Sequence, residues 1–233
     1  MEQSTFSVIA RMHSDFDQKF GIPRQSGLVE ELESTIVFEP DFRNPDALRG
    51  LEGFSHLWIV WEFSKARREG WSPTVRPPRL GGNQRLGVFA TRSPFRPNPI
   101  GLSCVKLVGV EQTEEHGWVI RVAGADLLNG TPIYDIKPYV TYADCHPAAR
   151  SGFVDEHRWQ ELAVDFPEHL QGHFTPENLE ALIRVLALDP RPQYQDNPDK
   201  IYGMPFDNKD IHFKVNKDTL TVIEVLPLPN KPT

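Results

Sequence analysis

The 233-residue sequence predicts a mainly β fold with an α+β appendage: a single-sheet β-barrel over residues 1–145, then a small C-terminal α+β domain over residues 146–233. Three observations carry this expectation. Glycine and proline interrupt the first 145 residues at short intervals, and runs rich in valine, isoleucine, leucine and aromatics lie between them. Seven such runs with few helices imply a closed or curled sheet. After about residue 145 the composition changes, and one amphipathic helix and one hairpin become legible.

Taken in order, strands are expected at 5–11, 34–40, 55–63, 85–91, 103–112, 118–125 and 132–136. The segment Asn44-Pro45-Asp46 before Leu57 reads as a short helical start, with Asn44 as its cap and Pro45 at the first helical position. Residues 146–166 read as a connector with one strand. Thr175 then caps a helix begun by Pro176, with Leu179, Leu182, Ile183 and Leu186 on one face, and Asp189-Pro190 ends it. The two runs flanking Asn216-Lys217-Asp218 read as a hairpin.

Composition narrows the function classes. No apolar run approaches a membrane span, and the N-terminus shows no basic region followed by an apolar block, so a cytoplasmic location is expected. Cys104 and Cys145 are too few for a disulfide framework or a metal cluster, so no metal is expected. The net charge of −7 speaks against nucleic acid as a partner, but it conceals a segregation. Between Lys65 and Lys106 nine basic residues face one acid, Glu69, and they alternate with Trp71, Phe89, Phe95 and several prolines. Such a surface suits phosphates and bases.

There is no dinucleotide fingerprint, P-loop, zinc-protease motif or paired Cys-x-x-Cys. Four local constellations remain. In residues 22–28, Pro23 restrains the backbone beside Arg24 and Gln25. In residues 61–71, a tryptophan-bearing strand runs into a basic loop at Ser64 and Lys65. In residues 87–101, Pro94, Pro97 and Pro99 stiffen a loop that presents Arg92, Arg96 and Asn98, and stiffness lowers the entropy lost on binding. In residues 124–139, Asp126 ends one strand and Asp135 lies in the next. Such carboxylates bind a ribose, pair with a cation or accept a proton, and equally serve turn chemistry; Asn129-Gly130 is a strong hairpin signal.

In this order the segments "IPRQSGL", "RGLEGFSHLWIV", "VRPPRLGGNQRLGVFATRSPFRPNPIGLS", "LLNGTPIYDIKPY" and "LDPRPQY" resemble the TsaA-like family, and within it the bacterial S-adenosylmethionine-dependent tRNA methyltransferases that act on N6-threonylcarbamoyladenosine beside the anticodon. The resemblance implies a methyltransferase outside the Rossmann class, a homodimer, S-adenosylmethionine on the N-terminal barrel, and tRNA held by the basic stretch and the C-terminal domain. By the family pattern, Pro23, Arg24, Gln25, Ser64, Lys65, Arg92, Leu102 and the turn Asp126, Leu127, Leu128, Asn129 fall at donor-binding positions. Ser64-Lys65 stands where a His-Gln pair is found in that pattern, so backbone contacts are the expectation there. Asn98 is the candidate to orient the attacking nitrogen, Asp135 or Asp126 to take its proton, and Arg96 to pair with the threonyl carboxylate. The rival readings are a non-catalytic RNA-binding barrel and a small-molecule methyltransferase.

Overall fold

The computed structural model describes residues 4–82, 84–156, 160–191 and 197–228, and β-structure dominates it. The first eight strands are β1 (Ala10–His13), β2 (Glu33–Phe38), β3 (His56–Glu62), β4 (Thr74–Val75), β5 (Leu86–Gly87), β6 (Ile100–Thr113), β7 (Gly117–Ala123) and β8 (Pro132–Pro138). Six of them hydrogen-bond in the order β1-β2-β7-β6-β3-β8, and β8 pairs back onto β1, so the sheet closes as a barrel. Period-two alternation explains which faces turn inward. In β3 Leu57, Ile59 and Trp61 are buried, and across from them β6 turns Ser103 and Val105 inward and Ile100 and Leu102 outward. Each such apolar side chain contributes about 1.5–3 kcal/mol on burial.

After residue 139 come β9 (Ala163–Asp165), β10 (Tyr202–Phe206), β11 (Lys209–Asn216) and β12 (Thr219–Pro227), ordered β10-β11-β12-β9. The helix Pro176–Ala187 covers this sheet with Ala181, Leu182, Val185 and Leu186, and the Thr175 hydroxyl accepts from the Asn178 N–H at 3.2 Å as its cap. Phe16, Val29 and Leu32, from the segment between β1 and β2, belong to this second core rather than to the barrel interior. Gly21 makes that possible: its φ is +91°, and a Cβ there would overlap the Met204 side chain. Residues 14–32 therefore bridge the two cores and carry Pro23, Arg24 and Gln25 between them.

Several expectations shift. The first strand lies at Ala10–His13 rather than over 5–11. The strand expected at 85–91 reduces to Leu86–Gly87, paired with Thr74–Val75 outside the barrel. Val88–Ala90 instead forms a single 3-10 turn, because the Thr91 N–H and hydroxyl both donate back to the Val88 carbonyl, at 3.2 and 2.9 Å, and the prolines beyond offer no ladder donors. Pro45–Leu48 is likewise 3-10, with the Asn44 side chain accepting from the Asp46 N–H as expected. Asn129-Gly130 closes no hairpin, since β7 and β8 are not neighbours. Its amides donate to the carbonyls of Phe16 and Met12 at 2.8 and 2.7 Å, which ties the turn to the chain leaving β1. β10 escaped the sequence reading because it contains Gly203 and Pro205; Pro205 is tolerated because β10 is an edge strand.

Candidate functional site

One cleft, of about 810 Å³, opens where the ends of β3 and β6, the 88–100 loop, the bridging segment and the Asp126 turn converge. That volume lies within the range of small-molecule and cofactor sites. Four of the five parts are the constellations singled out in the sequence. Pro23, Arg24, Gln25, Ser64, Lys65, Arg92, Arg96, Asn98, Leu102, Asp126 and Leu128 all line it.

Three candidates do not line it. Leu127 is buried in the barrel core, with its carbonyl accepting from the Ser14 hydroxyl at 2.9 Å. Asn129 points the other way and donates to the Asp17 carboxylate at 3.1 Å. Asp135 sits in β8 opposite Val60, accepts from the Ile136 N–H at 2.9 Å and pairs with the Lys137 ammonium at 2.7 Å. Asp126 is thus the one of the two expected proton acceptors that faces the cleft.

Asp126 owes its place to a relay of polar contacts. Trp61, an inward residue of β3, donates its indole N–H to the Ser103 hydroxyl at 2.9 Å, and that hydroxyl donates to the Asp126 carboxylate at 2.5 Å. The Trp61 ring lies directly over Gly101, its cross-strand neighbour, where a Cβ would overlap it. Burial pushes the Asp126 carboxyl above the usual range; the Ser103 hydroxyl, backbone N–H groups and Arg92 only partly offset this.

The cationic side is equally fixed. Arg92 donates to the Gln25 side-chain oxygen, and the Gln25 amide donates to the Arg24 carbonyl. Arg24 donates to the carbonyls of Asp189 at 2.9 Å and Arg191 at 3.5 Å. Asp189 has a φ of +49°, and Arg191 chelates its carboxylate at 2.8 and 3.0 Å, so the end of the long helix buttresses the rim. The last three residues of the "LDPRPQY" segment, 192–194, lie outside the described residues. Arg96 spends one N–H on the Thr91 carbonyl at 3.1 Å, and the side chain of Asn98 has no hydrogen bond among the described residues. The Lys65 ammonium donates to the Asp17 carbonyl, and its own carbonyl accepts from Lys19.

Sequence reasoning missed Glu62, which ends β3 buried at the cleft wall. Burial opposes its charge, yet hydrogen bonds from Arg67 and from the Tyr134 hydroxyl outweigh this and hold its carboxyl below the usual range. It is therefore an anchored anion, unsuited to taking a proton at neutral pH. Its sequence signal was a lone acid ending an apolar strand five residues before Arg67. Trp61, Phe63 and Ile22, which lie within the 61–71 and 22–28 constellations, were not singled out, because an apolar side chain carries no local sign that it lines a cleft.

Known proteins resemble this chain in sequence and in fold. The family profile described as tRNA-methyltransferase O N-terminal domain matches residues 11–145, and that of the TrmO C-terminal domain matches 159–228. A relative from Escherichia coli (strain K12), named tRNA (adenine(37)-N6)-methyltransferase, is 37% identical over 97% of this chain and 100% of its own length. A Pseudomonas aeruginosa relative, named provisionally as an S-adenosylmethionine-dependent methyltransferase, is 41% identical over 94% of this chain and 96% of its own. The crystal structure of TrmO from Pseudomonas aeruginosa superposes with a TM-score of 0.77 at 35% identity, covering 96% of this chain and 99% of that one.

Proposed function

This chain belongs to the tRNA-methyltransferase O family, and on that premise we propose that it methylates N6 of N6-threonylcarbamoyladenosine at position 37 of tRNA, using the 810 Å³ cleft as its active site. At the coarser level it is an S-adenosylmethionine-dependent tRNA methyltransferase acting on N6 of adenine 37. Among the described residues no helix is long and apolar enough to cross a membrane; the reading includes a cytoplasmic enzyme.

The residues present fit S-adenosylmethionine. Ile22, Phe63, Leu102 and Leu128 offer apolar wall to a purine, and Arg92 and Gln25 offer donors and acceptors to a ribose or an amino-acid carboxylate. When bound, this donor supplies a methyl group on a sulfonium. What the chain contributes is alignment, which can lower a barrier by about 7 kcal/mol or more when the reacting atoms are held in line. Asn98 orients the attacking nitrogen; Asp126 takes its single proton; Arg96 keeps N–H groups to spare for the threonyl carboxylate. The observation that carries this reading is the meeting of Arg96 and Asn98, from the proline-stiffened loop, with Asp126, from a turn some 28 residues further on, in one cleft.

The test is methyl transfer to tRNA that carries N6-threonylcarbamoyladenosine, compared with tRNA that lacks the threonylcarbamoyl group. Transfer is expected only to the first, and Asn98→Ala and Arg96→Ala should each lower kcat/KM by about 10²-fold, the scale of a misplaced reacting group. Near-normal rates would remove either residue from the mechanism. Activity on small molecules without RNA would favour the small-molecule reading, and RNA binding without donor binding the non-catalytic one.

The homodimer is part of the same proposal. Ile100 and Leu102 are exposed apolar side chains on the outer face of β6 at the cleft, with Leu102 56% exposed, which supports a second copy covering the surface beside the site. Light scattering should return twice the chain mass of 26.6 kDa; a monomer at micromolar concentration would refute it.

A further inference from the structure

The rim of the cleft carries an aromatic feature that neither donor binding nor the chemistry at Asn98 and Asp126 uses. Phe89 is 73% exposed and Trp71 54% exposed, and their rings stand 6.2 Å apart at 34°. Phe89 also lines the cleft, so the pair runs from the site outward over the surface. Its backbone is not floppy. Val88 is buried, its N–H donates to the Pro73 carbonyl at 2.9 Å, and the 3-10 turn Val88–Ala90 aims Phe89 outward. Nearby the Arg68 guanidinium lies over the Phe95 ring at 3.8 Å. Two large rings held in water beside a stretch with nine basic residues and one acid need a partner with flat apolar faces and negative charge. An unpaired nucleotide has both.

We propose that Trp71 and Phe89 form a stacking platform for an unpaired nucleobase next to the methylated adenosine, so that the enzyme grips its tRNA by a neighbouring base as well as by phosphates. This rests on the proposed reading of the cleft. Stacking of one base on an aromatic side chain is sequence-tolerant, so the platform would set affinity and the splaying of the loop rather than base identity.

The experiment pairs protein and RNA changes. Binding of fluorescently labelled tRNA carrying N6-threonylcarbamoyladenosine is measured by anisotropy, and methyl transfer is measured in parallel. The proteins are wild type, Trp71→Ala, Phe89→Ala and Trp71→Phe. The RNAs are the intact tRNA and two versions with an abasic nucleotide on one or the other side of position 37. On intact tRNA, Trp71→Ala and Phe89→Ala are expected to weaken binding and raise KM by about 5- to 100-fold, from the known worth of one stacked base. Trp71→Phe should restore most of it, and donor binding by calorimetry should not change. With one of the two abasic tRNAs, wild type should already be weakened and Trp71→Ala should add nothing.

Equal losses on intact and both abasic tRNAs would overturn the platform, as would no loss at all. A change in chain association in Trp71→Ala without the RNA coupling would give the rings to a second copy of the chain and overturn it too. If no tRNA is methylated by wild type, the reading of the cleft fails, while the anisotropy cycle still decides whether the rings stack a base.

Discussion

Asp126→Asn is expected to lower kcat by about 10²- to 10⁴-fold, the range for removing a positioned proton acceptor, while leaving S-adenosylmethionine binding within a few-fold of wild type. The substitution keeps shape and the ability to accept from Ser103 but cannot take a proton. The carboxyl's raised pKa gives two further readouts. A proton acceptor must be ionised, so the wild-type kcat should fall on the acid side, below a value above the usual 3.9 or so of aspartate. For stability, the folded state binds the proton more tightly than the unfolded chain does. The protonated form is therefore the stabilised one: its contribution is complete below the unfolded value and is lost as pH rises through the higher folded value. Asp126→Asn should abolish that fall, so its urea midpoint should gain on wild type between pH 4 and neutrality. Normal kcat at saturating donor combined with a large loss of donor affinity would make Asp126 a donor ligand and not the proton acceptor.

How far this site was legible in advance follows from what chain order can encode. The 87–101 block was readable as a stiff functional loop because proline fixes φ and arginine fixes donor geometry wherever they stand; both are local properties. Its first residues were misread as strand because Val88-Phe89-Ala90 has β-type composition, and only the Thr91 contacts and the missing donors beyond reveal the turn. Asp126 and Asp135 looked alike in sequence. What separates them is register: Asp135 lies in β8 opposite Val60 and pairs with Lys137, whereas Asp126 follows the turn at Gly124 and drops beneath Ser103. Glu62 was invisible as a cleft wall because one of its partners, Tyr134, is 72 residues away. The bridging role of residues 14–32 was hidden for the same reason: Phe16, Val29 and Leu32 give no sign of which core they fill.

The second large effect is expected at a residue that carries no titratable group of its own. Gly101→Ala places a methyl group where the Trp61 ring now lies, and because Trp61 is buried between strands it has little room to give. Overpacking of this kind costs about 1–3 kcal/mol. The consequence should not stop at stability. Trp61 holds the Ser103 hydroxyl, and Ser103 holds Asp126, so a displaced indole releases the carboxylate from its position; a shift of about 1 Å there is enough for a 10²-fold loss of rate. Gly109→Ala separates this from a generic effect of adding a methyl group to β6, since its Cβ would meet nothing within 4 Å, and it should unfold at the same urea concentration as wild type or slightly higher. Urea titration and kcat together decide the matter. Were Gly101→Ala as stable and as active as Gly109→Ala, Trp61 would not be clamped against β6, and the chain of contacts credited with placing Asp126 could not be what places it.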